Sequence, residues 1–251
     1  MIDQRILLMA LLTLSFLCQC SSEIPSFLKI CHRDDPHLNE CIMKSFLSLK
    51  PFLRKGIPEF HVPVCEPLEI PKIKFDHNTG PGFLTFVFTN VKVKGATHFK
   101  IKHLNVDIKN NYIELKLFIP RLLMTANYDV NGKFMMLPIK SNGKANGNFS
   151  EIKTDVNING IRYQNIKTNQ THYRVVNFDV IVDIGNGKTY FDNLFNGDKN
   201  LLNTMNQFLN ENLKIIIEEF KPALELKIGD IFKKFSNEIL IKYPLELLLP
   251  L

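Results

Sequence analysis

The 251-residue sequence predicts an α+β fold: a long C-terminal helix wrapped by a highly curved antiparallel β-sheet, with a short helix ahead of the sheet. Three patterns predict it. Apolar residues recur at helical spacing from Leu202 to Ile239. An alternation of period two occupies about 83 to 184. The links between alternating segments are too short for the helical crossovers that parallel strands require. So long an apolar helix needs cover all round, and a strongly curved sheet supplies it.

The elements follow in order. Arg5, the apolar run Ile6 to Leu17 and the small or polar Cys18 to Ser22 form the three regions of a secretory signal peptide, residues 1–22. The run is shorter than the ~20 residues that span a bilayer. Residues 23–251 then form a single domain, expected outside the cell. Asp35 is expected to cap a helix with Pro36 in its first turn. Leu38, Ile42, Phe46, Leu49 and Leu53 give that helix one apolar face, Pro51 is expected to kink or end it, and Gly56 to close it in a left-handed cap. Prolines 58, 63, 67 and 71 predict an extended connector or edge segment.

Strands come next. Ile113, Leu115, Leu117 and Ile119 alternate with Glu114, Lys116 and Phe118, and Val176, Phe178, Val180, Val182 and Ile184 alternate with mostly polar neighbours. The apolar parity shifts between Ile101 and Leu104, which predicts a β-bulge near Lys102 or His103. Asn-Gly pairs at 131–132, 142–143, 146–147, 159–160 and 186–187 predict tight turns, with Asp183 and Asp192 as turn or cap residues beside the last. Asp198 is expected to cap the tail helix, and Pro222 and Gly229 to kink or break it.

Composition bounds the function. A formal charge of +6 is dispersed, with no basic stripe bearing aromatic platforms, which argues against nucleic acid. Three cysteines survive loss of the leader. In an oxidising compartment Cys31 and Cys41 are the natural pair, and Cys65 is left as a buried thiol, an intermolecular disulfide or a reactive thiol. No Cys-x-x-Cys or His-x-x-x-His spacing points to a metal, and no cofactor is implied. Asn148 and Asn169 stand in glycosylation triplets. Nucleophile elbows, zincin motifs and phosphate loops are missing, and the seven histidines are dispersed and read as surface residues. An enzyme is therefore not expected.

The apolar content points to binding. Twenty phenylalanines and no tryptophan sit largely on apolar faces, and a helix inside a curved sheet leaves elongated space along its axis. Burying ~300 Å² of apolar ligand surface yields about 7 kcal/mol before association costs. The candidate lining is Phe46, Leu49 and Leu53 near one mouth, Ile113, Leu115, Leu117, Val176, Phe178 and Val180 on the sheet, and Ile216, Phe220 and Leu224 on the helix.

Two separated segments carry a family resemblance. The first is Cys31-His32-Arg33-Asp34-Asp35-Pro36 with Leu38-Asn39-Glu40-Cys41, then Gly56-Ile57-Pro58-Glu59, Pro67-Leu68 and Ile70-Pro71. The second is Asn193-Leu194-Phe195-Asn196-Gly197 with Asn206, Leu209-Asn210 and Asn212. In this the chain resembles the insect takeout and haemolymph juvenile-hormone-binding proteins over nearly all of its mature length. The resemblance implies a tubular lipid-binding-like roll, an internal apolar tunnel, a disulfide at Cys31–Cys41, and a juvenile-hormone-like terpenoid or fatty-acid-like ligand. The chain has no cysteine after Cys65, so it lacks the second disulfide of the hormone carriers and falls on the takeout side. The expected protein is a monomeric secreted carrier with no stable membrane insertion. The alternative is a secreted signalling protein that acts on an extracellular receptor in feeding, circadian or chemosensory behaviour.

Overall fold

The computed structural model describes residues 24–77, 83–134 and 137–251; the expected leader lies outside them. Helix α1, Leu38–Lys55, starts two residues later than the sequence suggests. The Asp35 carboxylate accepts from the His37 N–H at 2.7 Å and its carbonyl from the Leu38 N–H at 3.0 Å, so Asp35 and Pro36 make a turn before the helix. Pro51 does not end the helix, which runs on to Lys55. It is exposed, so the carbonyl it leaves unbonded faces water. Gly56 ends the helix with φ 82° and ψ 161°, an extended positive-φ exit rather than a left-handed cap. A Cβ there would lie 3.0 Å from the Val64 nitrogen.

The disulfide Cys31–Cys41 forms, tying the segment before α1 to its first turns. Closing so short a loop contributes about 3 kcal/mol in the chain-entropy account. Cys65 is free and buried, and burial, with the Glu66 charge beside it, pushes its thiol up to about 11.

One antiparallel sheet follows: β1 (Leu68–His77), β2 (Phe83–Lys94), β3 (Lys100–Asp107), β4 (Tyr112–Phe134), β5 (Leu137–Gln164) and β6 (Thr171–Phe191). The order is β1-β2-β4-β5-β6, and β3 also pairs with β4. β2 and β3 take successive halves of the same β4 flank and are separated by a corner at Gly95, φ 96°. A side chain at Gly95 would meet the Arg121 carbonyl at 2.3 Å. The proline segment supplies the short 3-10 turn Pro58–Phe60 and then the edge strand β1, whose pairing with β2 skips Pro71. Lys102 is the expected bulge: the register shifts between Ile101 and His103.

The Asn-Gly pairs are not turns. Pair 131–132 lies inside β4, pairs 142–143, 146–147 and 159–160 inside β5, and pair 186–187 inside β6. A tight two-residue hairpin of either favoured type needs positive φ at its first position, and none of these asparagines has it. The glycines make room for neighbours instead. The Tyr173 ring lies over Gly160, and Leu213 and Phe149 press on Gly187.

A crease crosses the sheet. Along β4 the inward residues are odd to Ile119 and even from Leu122. Along β5 they switch between Phe149 and Ile152, where Glu151 has φ 57°. Along β6 the switch falls at Gly185. Pairing lapses at this one row, Pro120 with Glu151 with Gly185. A shift of one residue turns each strand's face over, and doing so in three adjacent strands bends the sheet as a unit.

The tail is α2 (Lys199–Glu211), α3 (Leu213–Lys242) and the short α4 (Leu245–Leu248). Asp198 caps α2, accepting from the Asn200 and Leu201 N–H groups at 3.0 Å each. The break falls at Asn212, not at Pro222 or Gly229, both of which lie within α3. The Asn212 amide donates to the Phe208 carbonyl at 2.9 Å, a local bond that competes with the helical ladder. At 1.5 Å per residue α3 is about 45 Å long. Its residues pack against both sheet edges, Phe220 on Phe75 of β1 and Gly229 on Phe178 of β6, so the curved sheet closes on the helix.

Candidate functional site

The interior between sheet and helix holds three apolar clusters. One gathers β1, β2, the 3-10 turn and Tyr243, with Phe220, Leu224, Ile231, Phe235 and Ile239 of α3 against it. A second gathers β3 to β6 below the crease, with Ile42, Met43 and Phe46 of α1. The third lies at the α2 end, around Tyr128, Val130 and Leu194.

The candidate lining residues divide between these. Phe46, Ile113, Leu115, Leu117, Phe178 and Val180 meet in the second cluster, and Leu53, Phe220 and Leu224 in the first. Leu49 and Ile216 are half-buried and belong to neither. Val176 has a different place from the one its alternation suggests. It is the extra residue where β6 slips against β5, and Val175, 3% exposed, takes the buried position.

A belt of aromatic rings connects the first and third clusters, and the sequence reading missed it. Phe75 and Phe220 have centroids 4.9 Å apart, Phe86 and Phe220 5.7 Å, Phe75 and Phe88 5.9 Å, Phe88 and Phe191 6.3 Å, and Phe191 and Tyr128 5.2 Å. The belt crosses from β1 through α3 and β2 to β6. Its residues are far apart in sequence, so only the pairing register brings them together. Phe86, Phe88, Phe191 and Phe220 face the interior and yet stay only half-buried, as do Ile119, Leu122 and Met124. Close-packed core side chains do not retain such exposure.

Polar groups at the interior are few and mostly engaged. Burial raises the Tyr128 hydroxyl above its ordinary range, although Ser141 beside it works the other way; it donates to the Asp192 carbonyl. Against the expectation for the histidines, His172 is buried, 4% exposed, with Nδ1 unpartnered and its ring 5.8 Å from Tyr163. Among the described residues no His, Cys, Asp and Glu cluster can hold a metal ion, and no helix is long and apolar enough to cross a membrane. An open depression of about 680 Å³ lies outside the roll, between the 3-10 turn and α3. It is lined by Glu59, His61, Asp230, Lys233, Glu238 and Lys242 among others. Its walls are largely the aliphatic stems of charged side chains together with Ile241, and it is the mixed charged heads around them that do not suit an apolar molecule.

The edge strand β6 is bound to the helices by side chains. Asn206 accepts from the Phe191 N–H at 2.8 Å and donates to its carbonyl at 2.9 Å. Asn210 does the same with Thr189, at 2.8 Å both ways, and Asn237 with Val175, at 2.8 and 3.0 Å. Each carboxamide imitates a neighbouring strand. Glu225 accepts from the Val182 N–H at 2.7 Å and, as a carboxylate, can return no donor.

Both glycosylation candidates are exposed. Asn148 is on β5, accepting from Arg121 Nε at 2.8 Å, and Asn169 is in the β5–β6 connection with φ 55°.

Known proteins share this architecture. Residues 7–250 match the family model of the haemolymph juvenile hormone binding protein (JHBP). The crystal structure of Takeout 1 from Epiphyas postvittana superposes with a TM-score of 0.76 at 25% identity, covering 89% of this chain and all of that one. The circadian clock-controlled protein daywake is 25% identical in Drosophila yakuba and 24% in Drosophila melanogaster, each over 235 residues, 90% of this chain and 88% of the relative.

Proposed function

The chain belongs to the haemolymph juvenile hormone binding protein family, and from that premise we propose that it is a secreted, non-catalytic carrier of one elongated apolar molecule. Residues 1–22 are its export leader, and residues 23–251 are one binding domain. The observation that carries this reading is the inward-facing, half-buried row of Phe86, Phe88, Phe220, Leu122 and Met124 between the clusters. Apolar surface in that position gains about 25 cal/mol per Å² when a ligand covers it. The candidate lining is Phe46, Leu49, Leu53, Ile113, Leu115, Leu117, Phe178, Val180, Ile216, Phe220 and Leu224, extended by the aromatic belt. Val175 replaces Val176.

The ligand class is a terpenoid or fatty-acid-like lipid, since the lining offers burial and little hydrogen bonding. One hydrogen bond adds only ~1 kcal/mol, which orients a ligand without setting its affinity. Native mass spectrometry of protein purified from its source, followed by lipid extraction, tests the reading. A stoichiometric apolar adduct is expected. Repeated recovery of empty protein that also fails to bind a fluorescent fatty acid would overturn it.

A further inference from the structure

We propose that the apolar ligand enters sideways, through the seam between β6 and α3 at the sheet crease, and that Glu225 is the latch of that portal. The proposal deepens the carrier reading and rests on it.

The seam is fastened unevenly. At one end Asn206 and Asn210 hold Phe191 and Thr189 by two bonds each, and at the other Asn237 holds Val175 by two. Between Val175 and Thr189, a strand distance of roughly 45 Å, the described side-chain fastening is the one Glu225 bond to Val182. Backbone packing narrows the weak stretch further. Gly229 lies against Phe178, where a Cβ would be 2.4 Å from the carbonyl oxygen, and Leu213 lies on Gly187. Neither contact leaves a gap. The Gly229 contact reaches Val180 as well, 4.0 Å from the same Cβ position, and the stretch beyond it, Val182 to Gly185 facing Ile216 to Glu225, has neither a helix–glycine contact nor an amide clamp among the described residues.

Two further observations fall on the same stretch. Gly185 is the β6 member of the crease row, where pairing with β5 also lapses, so the strand is least supported there. The helix facing it begins at the Asn212 break, which gives its first turns a pivot. The surroundings suit an apolar guest. Ile181, next to Val182, is 52% exposed, Leu226, next to Glu225, 69%, and Ile215, near the pivot, 64%. Phe220 and Leu224 lie behind the seam on the interior side. A carboxylate accepts the strand N–H and offers no donor to the strand carbonyl. It is therefore the one described fastening held by a single bond, where each Asn clamp makes two.

Glu225→Gln converts the latch into a clamp of the kind Asn237 makes, and Glu225→Ala removes it. Stopped-flow fluorescence with cis-parinaric acid reads the portal, and amide hydrogen exchange at Val182 reads the latch. In E225Q one charge-assisted bond gives way to two neutral ones of about the same total strength, so association, dissociation, Kd and Val182 exchange should each stay within about twofold of the unaltered protein. In E225A both rates and the exchange should rise. In the unaltered protein Val182 should exchange faster than Val175, Thr189 and Phe191. Binding with rates unchanged in E225A overturns the portal and leaves the carrier reading standing. A Val182 amide as protected as Val175 in the unaltered protein also overturns the portal. Failure of the unaltered protein to take up the probe overturns the carrier reading itself.

Discussion

Truncating Asn237 isolates the energetics of a clamped edge. Asn237→Ala removes both bonds to Val175, whose residue is only 3% exposed. One backbone N–H and one carbonyl then lose their partners, at about 1–3 kcal/mol each when buried. Alanine returns up to ~0.7 kcal/mol through helix propensity. Water reaching the edge holds the two losses to the lower half of their range, so a net destabilisation of about 2–3 kcal/mol is expected. For a chain of this size each kcal/mol moves the midpoint by ~2–4 °C, so Tm should fall by roughly 4–12 °C. Asn237→Asp should lose at least as much, since it keeps the acceptor for the Val175 N–H but turns a charge toward the Val175 carbonyl. Urea denaturation gives the free energy, and hydrogen exchange at Val175 shows whether the loss is local. A loss under 0.5 kcal/mol with the Val175 amide still protected would refute the reasoning, because the clamp would then carry no energy of its own.

Three more outcomes follow from single sites. Gly229→Ala puts a methyl group 2.4 Å from the Phe178 carbonyl oxygen, so α3 must back away from β6; overpacking of about 1–3 kcal/mol outweighs the ~1 kcal/mol gained in helix propensity, and a rise in the urea midpoint would contradict this. With its thiol pushed up to about 11, Cys65 is about one part in a thousand thiolate at pH 8, so native protein should react with a disulfide reagent only as fast as it opens; complete reaction within the mixing time, or a disulfide dimer, would count against it. Burial pushes the Glu66 carboxyl up, but the Gly95 and Thr97 N–H groups, the Thr97 hydroxyl and the His98 charge together hold it below its ordinary value. The stability it adds is present above its unfolded value of about 4.3 and lost as pH falls through the folded one. The gap between the unaltered protein and Glu66→Gln should thus close on acidification from pH 7 to about 3, and a gap independent of pH would exclude that linkage.

Much of the fold was legible because it rests on local periodicity. The Lys102 bulge follows from a change of parity within ten residues, and the Asp198 cap from one side chain and the two N–H groups after it. The Asn-Gly pairs misled because a turn dipeptide says only that backbone freedom is needed. In strands of 21 to 28 residues that freedom goes to bending and to seating Tyr173, Phe149 and Leu213. Val176 misled because the slip beside it depends on Gly160 of another strand. The helix break at Asn212 was hidden behind the stronger local breakers Pro222, which α3 carries on an exposed face, and Gly229, which lets α3 pack on Phe178. Asparagines at 206, 210 and 237 did leave a trace, being polar residues on otherwise apolar helix faces. Their partners lie 15 to 62 residues away, so their purpose appears only once β6 is an edge. The candidate lining was legible as apolar faces, while the aromatic belt needed the register.

The Asn clamps also bear on how the protein is made. On the ribosome the chain completes β6 before any of α3 exists, and about 50 residues separate the end of the strand from the end of the helix. At 5–20 residues per second the newest strand waits roughly 3–10 s with its outer hydrogen-bonding groups bare. During that interval a second nascent chain could add itself where the helix belongs, the ordinary hazard of an open sheet border. Chains cut short before Asn206 should therefore survive only as aggregates or chaperone clients, and the tail serves its own synthesis before it serves any cargo.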